Sequence, residues 1–519
     1  VGGGVAGLAS AALLVHDGWQ VDVVEQQANF GGRVGTWEQD GFRFDTGPSW
    51  YLMPEVFDHF FRLIGTTAAE QLDLVRLDPA YRVYFERHEH PLELRADRAA
   101  NVAAFEAVQH GAGVALERYL DSAHEVYDLA LRRFLYDTFE SRTSLLSREV
   151  LGQLPRLARL LSRSLAAHTA RHFTDDRLRQ VLGYPAVFLG TAPDRAPSMY
   201  HLMSWLDLAD GVYYPQGGFG TLTRALVRLA QRGGARLHTS TRAIAIDVNR
   251  TRPPRAGGVR VVEPTGAERL LPADLVVAAA DLHHVENELV PADLRTYPPA
   301  WWERRDPGPG AVLACLGIRG ALPQLAHHTL FFTHDWERNF RDIFHAPTRI
   351  PEPASAYVCR PSATDPSVAP PGHENLFVLV PVPADPKIGR GALEGAGNPM
   401  VEKAVDAALA QVAAKAGVPD LPERVVLRRT IGPGDFAADL NAWSGGALGP
   451  AHVLSQSAFF RAGNASRKIR GLVYAGAGTI PGVGLPMCLI SAELALKRVR
   501  GDTSAGPVRE PAARPVREA

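Results

Sequence analysis

Three observations at the start of the chain predict an α/β fold, a parallel sheet flanked by helices. Gly2, Gly4 and Gly7 form G-x-G-x-x-G at the N-terminus. An Ala- and Leu-rich segment that reads as a helix follows from Ala6 (AGLASAALLVHDGW). A β-branched run, VDVVE from Val21, then ends on the acid Glu25. Glycines at this spacing let the backbone turn tightly and approach a pyrophosphate, whose charge meets the positive end of the helix dipole. Glu25 stands eighteen residues past Gly7, close to where a carboxylate takes the ribose hydroxyls of an adenine dinucleotide. A glycine-rich turn in an unrelated α/β protein is the alternative, and the helix, strand and acid in order argue against it.

A second stretch selects the dinucleotide. NFGGRVGTWEQDGFRFDTGPSWY carries Gly31, Gly32 and Arg33, then FRFDTGPS around Asp45 and Gly47. An arginine delivered by a flexible Gly-Gly can lie along a diphosphate and neutralise it. A nicotinamide cofactor leaves after each turnover and needs no such clamp, whereas a flavin stays. FAD is therefore the expected cofactor. The competing reading of Arg33 is a solvated loop charge.

Taken in order, GGGVAG, the Glu25 strand, GGR and FDTGPS resemble the flavin amine oxidase and phytoene desaturase superfamily. LVYAGAGTIPGVGLPMCLISAELA, from Leu472 to Ala495, is similar to the closing signature of bacterial-type carotenoid desaturases. VYYPQGGFGTL from Val212, RPSATDPSVAPPG from Arg360, and DFAADLNAW from Asp435 running on to LSQSAFFRAGN agree, so the resemblance extends to about Gly501. It implies a Rossmann-like, glutathione-reductase-like FAD-binding domain (1–75, 206–280 and 466–500) and an α+β substrate domain (76–98 and 281–465). A helical, membrane-facing subdomain for substrate entry (99–205) and a disordered tail (501–519) complete the division. The implied activity is stepwise removal of hydrogens from phytoene or a related polyene toward a lycopene-type product, with electrons passed to oxygen or a quinone. A carotenoid isomerase, a ketolase or oxygenase, an amine oxidase and a non-enzymatic prenyl-lipid carrier of the GDP-dissociation-inhibitor type are the alternatives. The intact Gly2, Gly4, Gly7, Glu25 and Arg33 argue against the carrier.

Composition sets the remaining bounds. At 519 residues, 46% hydrophobic and 21% charged, the chain is expected to hold two or more units with a sizeable core. A formal net charge of -1 leaves no footprint for nucleic acid. Cys315, Cys359 and Cys488 are far apart and form no C-x-x-C, which fits a reducing compartment. No secretory segment precedes the glycines, and no run of about 18 apolar residues exists to span a bilayer. The expected location is cytoplasmic and peripheral, on the inner face of the cell membrane. Only Val1 precedes Gly2, where a dinucleotide fold needs an apolar strand, and there is no initiating Met. The expectation is a sequence that is clipped or begins downstream of its true start, and a chain that, as written, holds FAD poorly.

Between about Ala99 and Tyr184 the pattern is helical. In VLGQLPRLARLLSRSLAAHTARHF from Val150, Leu151, Leu154, Leu157, Ala158, Leu161 and Leu165 share one face at a hundred degrees per residue, with Arg156, Arg159 and Arg163 opposite. No acid occurs between Glu149 and Asp175, and a basic amphipathic helix of this kind suits an anionic membrane surface. Packing against the protein's own core is the other reading. Met199, Tyr200, Met203 and Trp205 are candidates to line a polyene tunnel, or else plain core. Strand-like segments VLACLGI, HTLFFT, SAYVCR, NLFVLVPV and VVLRRT suggest a sheet forming one chamber wall, with a helix over Val401–Ala416 outside it.

Dehydrogenation of an unactivated C–C bond removes a hydride equivalent and a neighbouring proton. Where the carbon is allylic to a polyene the developing cation is delocalised, so few indispensable acid or base residues are expected. The resemblance singles out Glu149, Asp439 and Arg461 as the polar residues to test, each also plausible in a structural ion pair. Gly152 stands where some relatives carry an arginine, which weakens a charged role there. For the cofactor the expected contacts are Gly2, Gly4, Gly7, Glu25, Gly32, Arg33, Gly47, Ala243, Gly476, Gly478, Pro486 and Met487. No metal is expected. His283-His284 and His327-His328 are adjacent pairs whose side chains diverge, with no cysteine or carboxylate at ligand spacing.

Overall fold

A computed structural model describes residues 1–140 and 148–511, with only the helical backbone described for residues 148–151. Helix Val5–His16 begins directly after Gly4 and buries Leu8, Ala9, Ala12 and Leu13 between helices Leu485–Arg500 and Gly220–Arg232. Two parallel strand pairs lie beneath it, Asp22–Val24 with Arg236–His238 and Val276–Ala278 with Leu472–Tyr474. Val1 and Gly2 join the pairs. The Val1 amine donates to the Val277 carbonyl (2.7 Å), Ala279 N–H donates to the Val1 carbonyl (2.7 Å), and Gly2 N–H donates to the Val24 carbonyl (2.9 Å). The two residues thus hold the central position of a parallel sheet where it meets the glycine turn. An antiparallel sheet of Arg242–Asn249, Arg255–Val262 and Glu268–Pro272 packs onto the same unit through Ile246, Val259 and Val261.

The second unit is built on a seven-stranded mixed sheet. Its order is Val425–Ile431, Gly310–Arg319, His373–Val382, Ala356–Cys359, His328–Phe332, Tyr81–Phe85 and Leu92–Leu94. Gly310 to Ile318 are buried without alternation because both faces of the strand are covered. Val312, Ala314, Leu316 and Ile318 pack with Val401, Val405, Leu409 and Val412 of the outer helix Pro399–Ala416, while Ala311, Leu313 and Cys315 belong to the core on the cofactor side. The expected sheet therefore exists, with the expected helix on its outer face. The early segments YRVYF and LEL complete it, the first running parallel to His328–Phe332.

The helical region departs from expectation in one respect. The basic helix spans Arg148–Ser162 and stops there, because Ser164 caps a separate turn, Leu165–Thr169, by accepting from Ala167 N–H. Leu157 and Leu160 are buried, Leu157 against Leu129 and Phe134, whereas Leu154 and Ala158 are exposed. Arg156 pairs with Glu125 and donates to the Ser122 carbonyl, so part of the basic face is spent on the neighbouring helix.

The disordered-tail expectation is corrected for residues 501–511. Lys497 Nζ donates to the carbonyls of Ser504 and Gly506, Val508 N–H donates to Glu493, and Glu510 bonds His59. Composition gave no sign of this docking, which folds the tail back onto the helix that precedes it, at Lys497 and Glu493, and onto His59 of the distant helix Pro54–Leu63. Residues 512–519 are outside the described part.

Candidate cofactor and substrate site

One cavity of about 760 Å³ joins the two units. At one end its wall is the glycine turn, Gly2 to Ala6 apart from Gly3, with Glu25, Gly31 to Val34 and Thr46 to Trp50. The two glycine devices of the sequence are one object in space. Gly31 N–H donates to the Gly3 carbonyl (2.9 Å), and Gly4 and Gly31 form a parallel bridge. A Cβ on Gly32 (φ +58) would sit 3.2 Å from Gly4 Cα, and one on Gly47 would sit 1.9 Å from the Arg33 carbonyl oxygen. Only glycine allows these backbones to lie so close.

Polar groups at this end suit an adenine dinucleotide. Glu25 is buried, and its carboxylate accepts Gly3 N–H and Gln27 N–H, both at 2.8 Å, leaving lone pairs on each oxygen for ribose hydroxyls. Arg33 Nε donates to the Ala447 carbonyl (2.9 Å) and its Nη2 lies 3.8 Å from Asp281, so the fork is held at the cavity edge with donors to spare. Asp45 plays a structural part. Burial pushes its carboxyl up to about 6, and it accepts the Phe219 and Gly220 N–H groups (2.7 and 3.2 Å) at the start of helix Gly220–Arg232.

The cavity gathers Gly2, Gly4, Glu25, Gly32, Arg33, Gly47, Ala243, Gly476, Pro486 and Met487 of the expected cofactor residues. Gly7 and Gly478 are not in the wall. Gly7 lies under Gly2, where its own Cβ would meet the Gly2 carbonyl oxygen at 1.9 Å, and Gly478 packs against Leu282. The charged candidates are dispersed. Asp439 lines the cavity near the Glu25 end, where its carbonyl accepts from Gln26 and Gln27 and its carboxylate pairs with Arg390. Arg461 is buried outside the lining and donates to the carbonyls of Thr479, Ala477 and Gln456, which fastens the loop before Leu485. The side chain of Glu149 lies outside the described residues. Of the polyene candidates Met199, Tyr200 and Met203 reach the cavity, while Trp205 stacks on His124 instead (3.9 Å, 11°).

Farther along, the lining is apolar: Leu313, Leu330, Phe332 and Phe377 from the large sheet, Val187 and Phe188 from the helical region. The mouth includes Leu454, Phe459 and Phe460, which are 42%, 54% and 48% exposed. Hydroxyls and imidazoles that the sequence did not flag punctuate this wall beside Tyr200, among them Ser49, Tyr357 and His452. Behind it, Asp207 accepts from Tyr81 (2.9 Å) and Tyr184 (2.8 Å), and burial pushes its carboxyl up to about 7. The spacing argument against metal ligands missed one grouping. Cys359 stands opposite His328 in the sheet, and ligand atoms of His327, His328 and Cys359, all buried, lie within 4.8 Å of one another. The Nδ1 atoms of both histidines are already engaged, with Thr364 and Tyr357 (both 2.7 Å).

A diphosphate cradle opening into an apolar chamber defines a flavin-dependent oxidoreductase of the two-unit kind. Comparison with known proteins agrees: the model of the flavin-containing amine oxidoreductases matches residues 5–499, and the chain belongs to that family. FAD is its cofactor. The chain is 38% identical over 493 residues to a carotenoid 3,4-desaturase of Haloarcula japonica, covering 95% of this chain and 96% of that one. It is 34% identical over 502 residues to a zeta-carotene-forming phytoene desaturase of Myxococcus xanthus (96% and 93% covered). Among solved structures, an oxidoreductase from Methanosarcina mazei shares the fold with a TM-score of 0.63 at 16% identity, covering 96% of this chain and 98% of that one.

Proposed function

We propose that this chain is an FAD-dependent carotenoid desaturase acting on CH–CH bonds of phytoene or a related, partly desaturated polyene. One observation carries the reading: a single cavity is polar and glycine-walled at one end and, over the rest, lined by aliphatic and aromatic side chains. A polyene offers no polar group for recognition, and a wall of this kind holds it by dispersion and π contact. The names of the relatives supply the substrate class.

When bound, FAD supplies the two-electron acceptor for the hydrogen that leaves as hydride. The protein's part is to hold and exclude. Gly4 and the start of helix Val5–His16 would face the pyrophosphate, with Gly2 leaving room for its approach, Glu25 would take the ribose hydroxyls, and Arg33 would neutralise the diphosphate. Leu313, Leu330, Phe332 and Phe377 keep water from a cationic carbon. Catalysis by positioning accounts for the absence of Arg461 from the cavity wall and for the rim position of Asp439.

Substrate entry is proposed at the Leu454, Phe459 and Phe460 rim. These exposed apolar side chains, with Leu154 (53% exposed) and Arg159 on the basic helix, form a surface for peripheral attachment to the anionic inner leaflet. No helix among the described residues is long and apolar enough to cross a membrane. Oxygen or a quinone is the proposed final acceptor. The test is incubation of the flavin-loaded protein with liposomes containing phytoene, or in parallel lycopene, with pigments resolved by chromatography. Products with longer conjugation from either substrate support the reading. Both polyenes recovered unchanged, with flavin bound and an acceptor present, would refute it.

A further inference from the structure

Two tyrosine–histidine pairs serve the cavity wall, and they differ in one respect. His452 Nε2 accepts Val483 N–H (3.1 Å), so Nδ1 carries the ring proton and donates to Tyr200 (2.9 Å). Tyr200 donates to Ser457 (2.9 Å), which donates to the Val453 carbonyl (2.9 Å). Every proton in that chain is committed, and His452 can accept another only by releasing Val483. The second pair is arranged otherwise. The Ser49 and Tyr357 hydroxyls are 2.8 Å apart, and Tyr357 Oη lies 2.7 Å from His328 Nδ1. His328 Nε2, on a fully buried ring, has no hydrogen-bond partner among the described residues.

Of the two proton orders that the distances allow in the second chain, one runs toward the ring. Nε2 holds the ring proton, Nδ1 accepts from Tyr357, and Tyr357 accepts from Ser49, which leaves a Ser49 lone pair for the cavity. Burial, then the neighbouring His327, holds His328 far below the ordinary 6.5, so it is neutral at rest. Burial likewise pushes the Cys359 thiol up to about 12, so it remains a thiol and takes no proton. Ser49 and Trp50 follow Thr46 to Pro48 directly, where the cofactor end of the cavity meets the sheet wall.

We propose that Ser49, Tyr357 and His328 form the relay that accepts the proton lost in desaturation; this rests on the desaturase reading. One C–H bond of the polyene gives up its hydrogen with both electrons to the acceptor the cofactor supplies. The C–H bond on the adjacent carbon breaks with its electron pair forming the new π bond. Its proton goes to Ser49 Oγ, the Ser49 proton to Tyr357, and the Tyr357 proton to His328 Nδ1. The resulting imidazolium lies parallel to the Trp50 ring (centroids 4.4 Å apart, planes at 10°), whose face offers negative potential in place of a carboxylate. When the two electrons pass on to a quinone or oxygen, that acceptor also takes up two protons, and the relay returns its own by the same route. Asp207 is the competing acceptor: Tyr81 and Tyr184 both donate to its Oδ2, its Oδ1 has no partner among the described residues, and it is reached from the cavity through Tyr184, so the Tyr184→Phe variant separates the two routes.

Two measurements on the flavin-loaded protein test this. Nitrogen-15 NMR of labelled histidines should show His328 protonated at Nε2 and bare at Nδ1; a proton on Nδ1 would overturn the relay. Anaerobic single-turnover reduction is then followed with polyene deuterated at either of the two carbons. Tyr357→Phe and His328→Gln should retain flavin, slow reduction by about 100-fold and raise the isotope effect at the proton-losing carbon. Ser49→Thr should restore what Ser49→Ala loses. Wild-type rates in Tyr357→Phe, or the isotope signature in Tyr184→Phe instead, would exclude the relay. A wild-type protein that no polyene reduces refutes the desaturase reading itself, before any variant is made.

Discussion

Gly7→Ala gives a direct measure of how tightly the glycine turn is built. Gly7 is not in the cavity wall, and its importance comes from what lies above it. An alanine Cβ there would sit 1.9 Å from the Gly2 carbonyl oxygen and 3.3 Å from the Ala279 Cβ. Ordinary contact begins near 3.4 Å, so the Gly2 backbone must withdraw by more than 1 Å. That movement strains the Gly2–Val24 and Ala279–Val1 hydrogen bonds, at about 1 kcal/mol each. It also displaces N–H groups aimed at the pyrophosphate, whose charge-assisted bonds are worth about 1.5–3 kcal/mol. FAD affinity should therefore fall by about 3 kcal/mol, roughly a hundredfold in Kd. Titration of apoprotein with FAD, read by quenching of flavin fluorescence, measures it. Gly18→Ala is the control: Gly18 has φ +91 and no atom within 4 Å of a Cβ, so the substitution should cost about 1 kcal/mol of stability and leave FAD affinity unchanged. Gly7→Ala protein that binds FAD like wild type would refute the packing argument.

Arg461→Met should lower stability by about 3 kcal/mol and weaken FAD binding, because three loop carbonyls lose their donor; Arg461→Lys should lose nearly as much, and a Lys variant as stable as wild type would show that charge matters and the fork does not. Phe459→Ser with Phe460→Ser should cut sedimentation with anionic liposomes several-fold while the flavin spectrum stays unchanged. Burial opposes protonation of His59, but its bonds to Glu493 and Glu510 outweigh burial and raise it above the ordinary 6.5. Its contribution is complete below 6.5 and is lost as pH rises through the raised folded value, so limited proteolysis near Val508 should accelerate on the alkaline side.

The cofactor end was legible because its constraints are local. A tight turn, a helix start and a strand-end acid must be adjacent in sequence, and Gly2, Gly4, Glu25 and Arg33 stand in the wall as expected. The chamber wall was legible from its apolar runs, since a strand covered on both faces shows no polar alternation. What the sequence withheld depends on register between distant strands. Tyr357 and His328 meet Ser49 only because Ala356–Cys359 pairs with His328–Phe332 and this sheet is brought against the FDTGPSW loop. Cys359 comes opposite His328 by the same pairing, which no ligand-spacing rule could show. The helical region was misread for a different reason. A hundred-degree wheel carried through Ser162–Ser164 assumes one continuous axis, and once the helix stops, Leu165 no longer shares a face with Leu154.

On physical grounds a charged side chain is a poor candidate for catalysis in such a chamber. A carboxylate or guanidinium in an apolar chamber would raise the energy of the chamber itself unless it were paired, and a paired charge has little left for substrate. Arg461 and Asp439 follow this rule, one bound to three carbonyls outside the cavity and the other tied to Arg390 at the rim. Neutral groups escape it. A chain of hydroxyls ending on a neutral imidazole adds no charge to the resting chamber, yet accepts a proton at the moment an allylic cation, itself a strong acid, provides one. The charge then sits behind the wall, against Trp50, instead of beside the polyene. On this argument Ser49→Asp, which places a stronger base at the same point, should lower the rate of desaturation: the carboxylate would draw water into the chamber and disfavour the apolar substrate. A Ser49→Asp protein faster than wild type would show that basicity, and not dryness, limits the reaction.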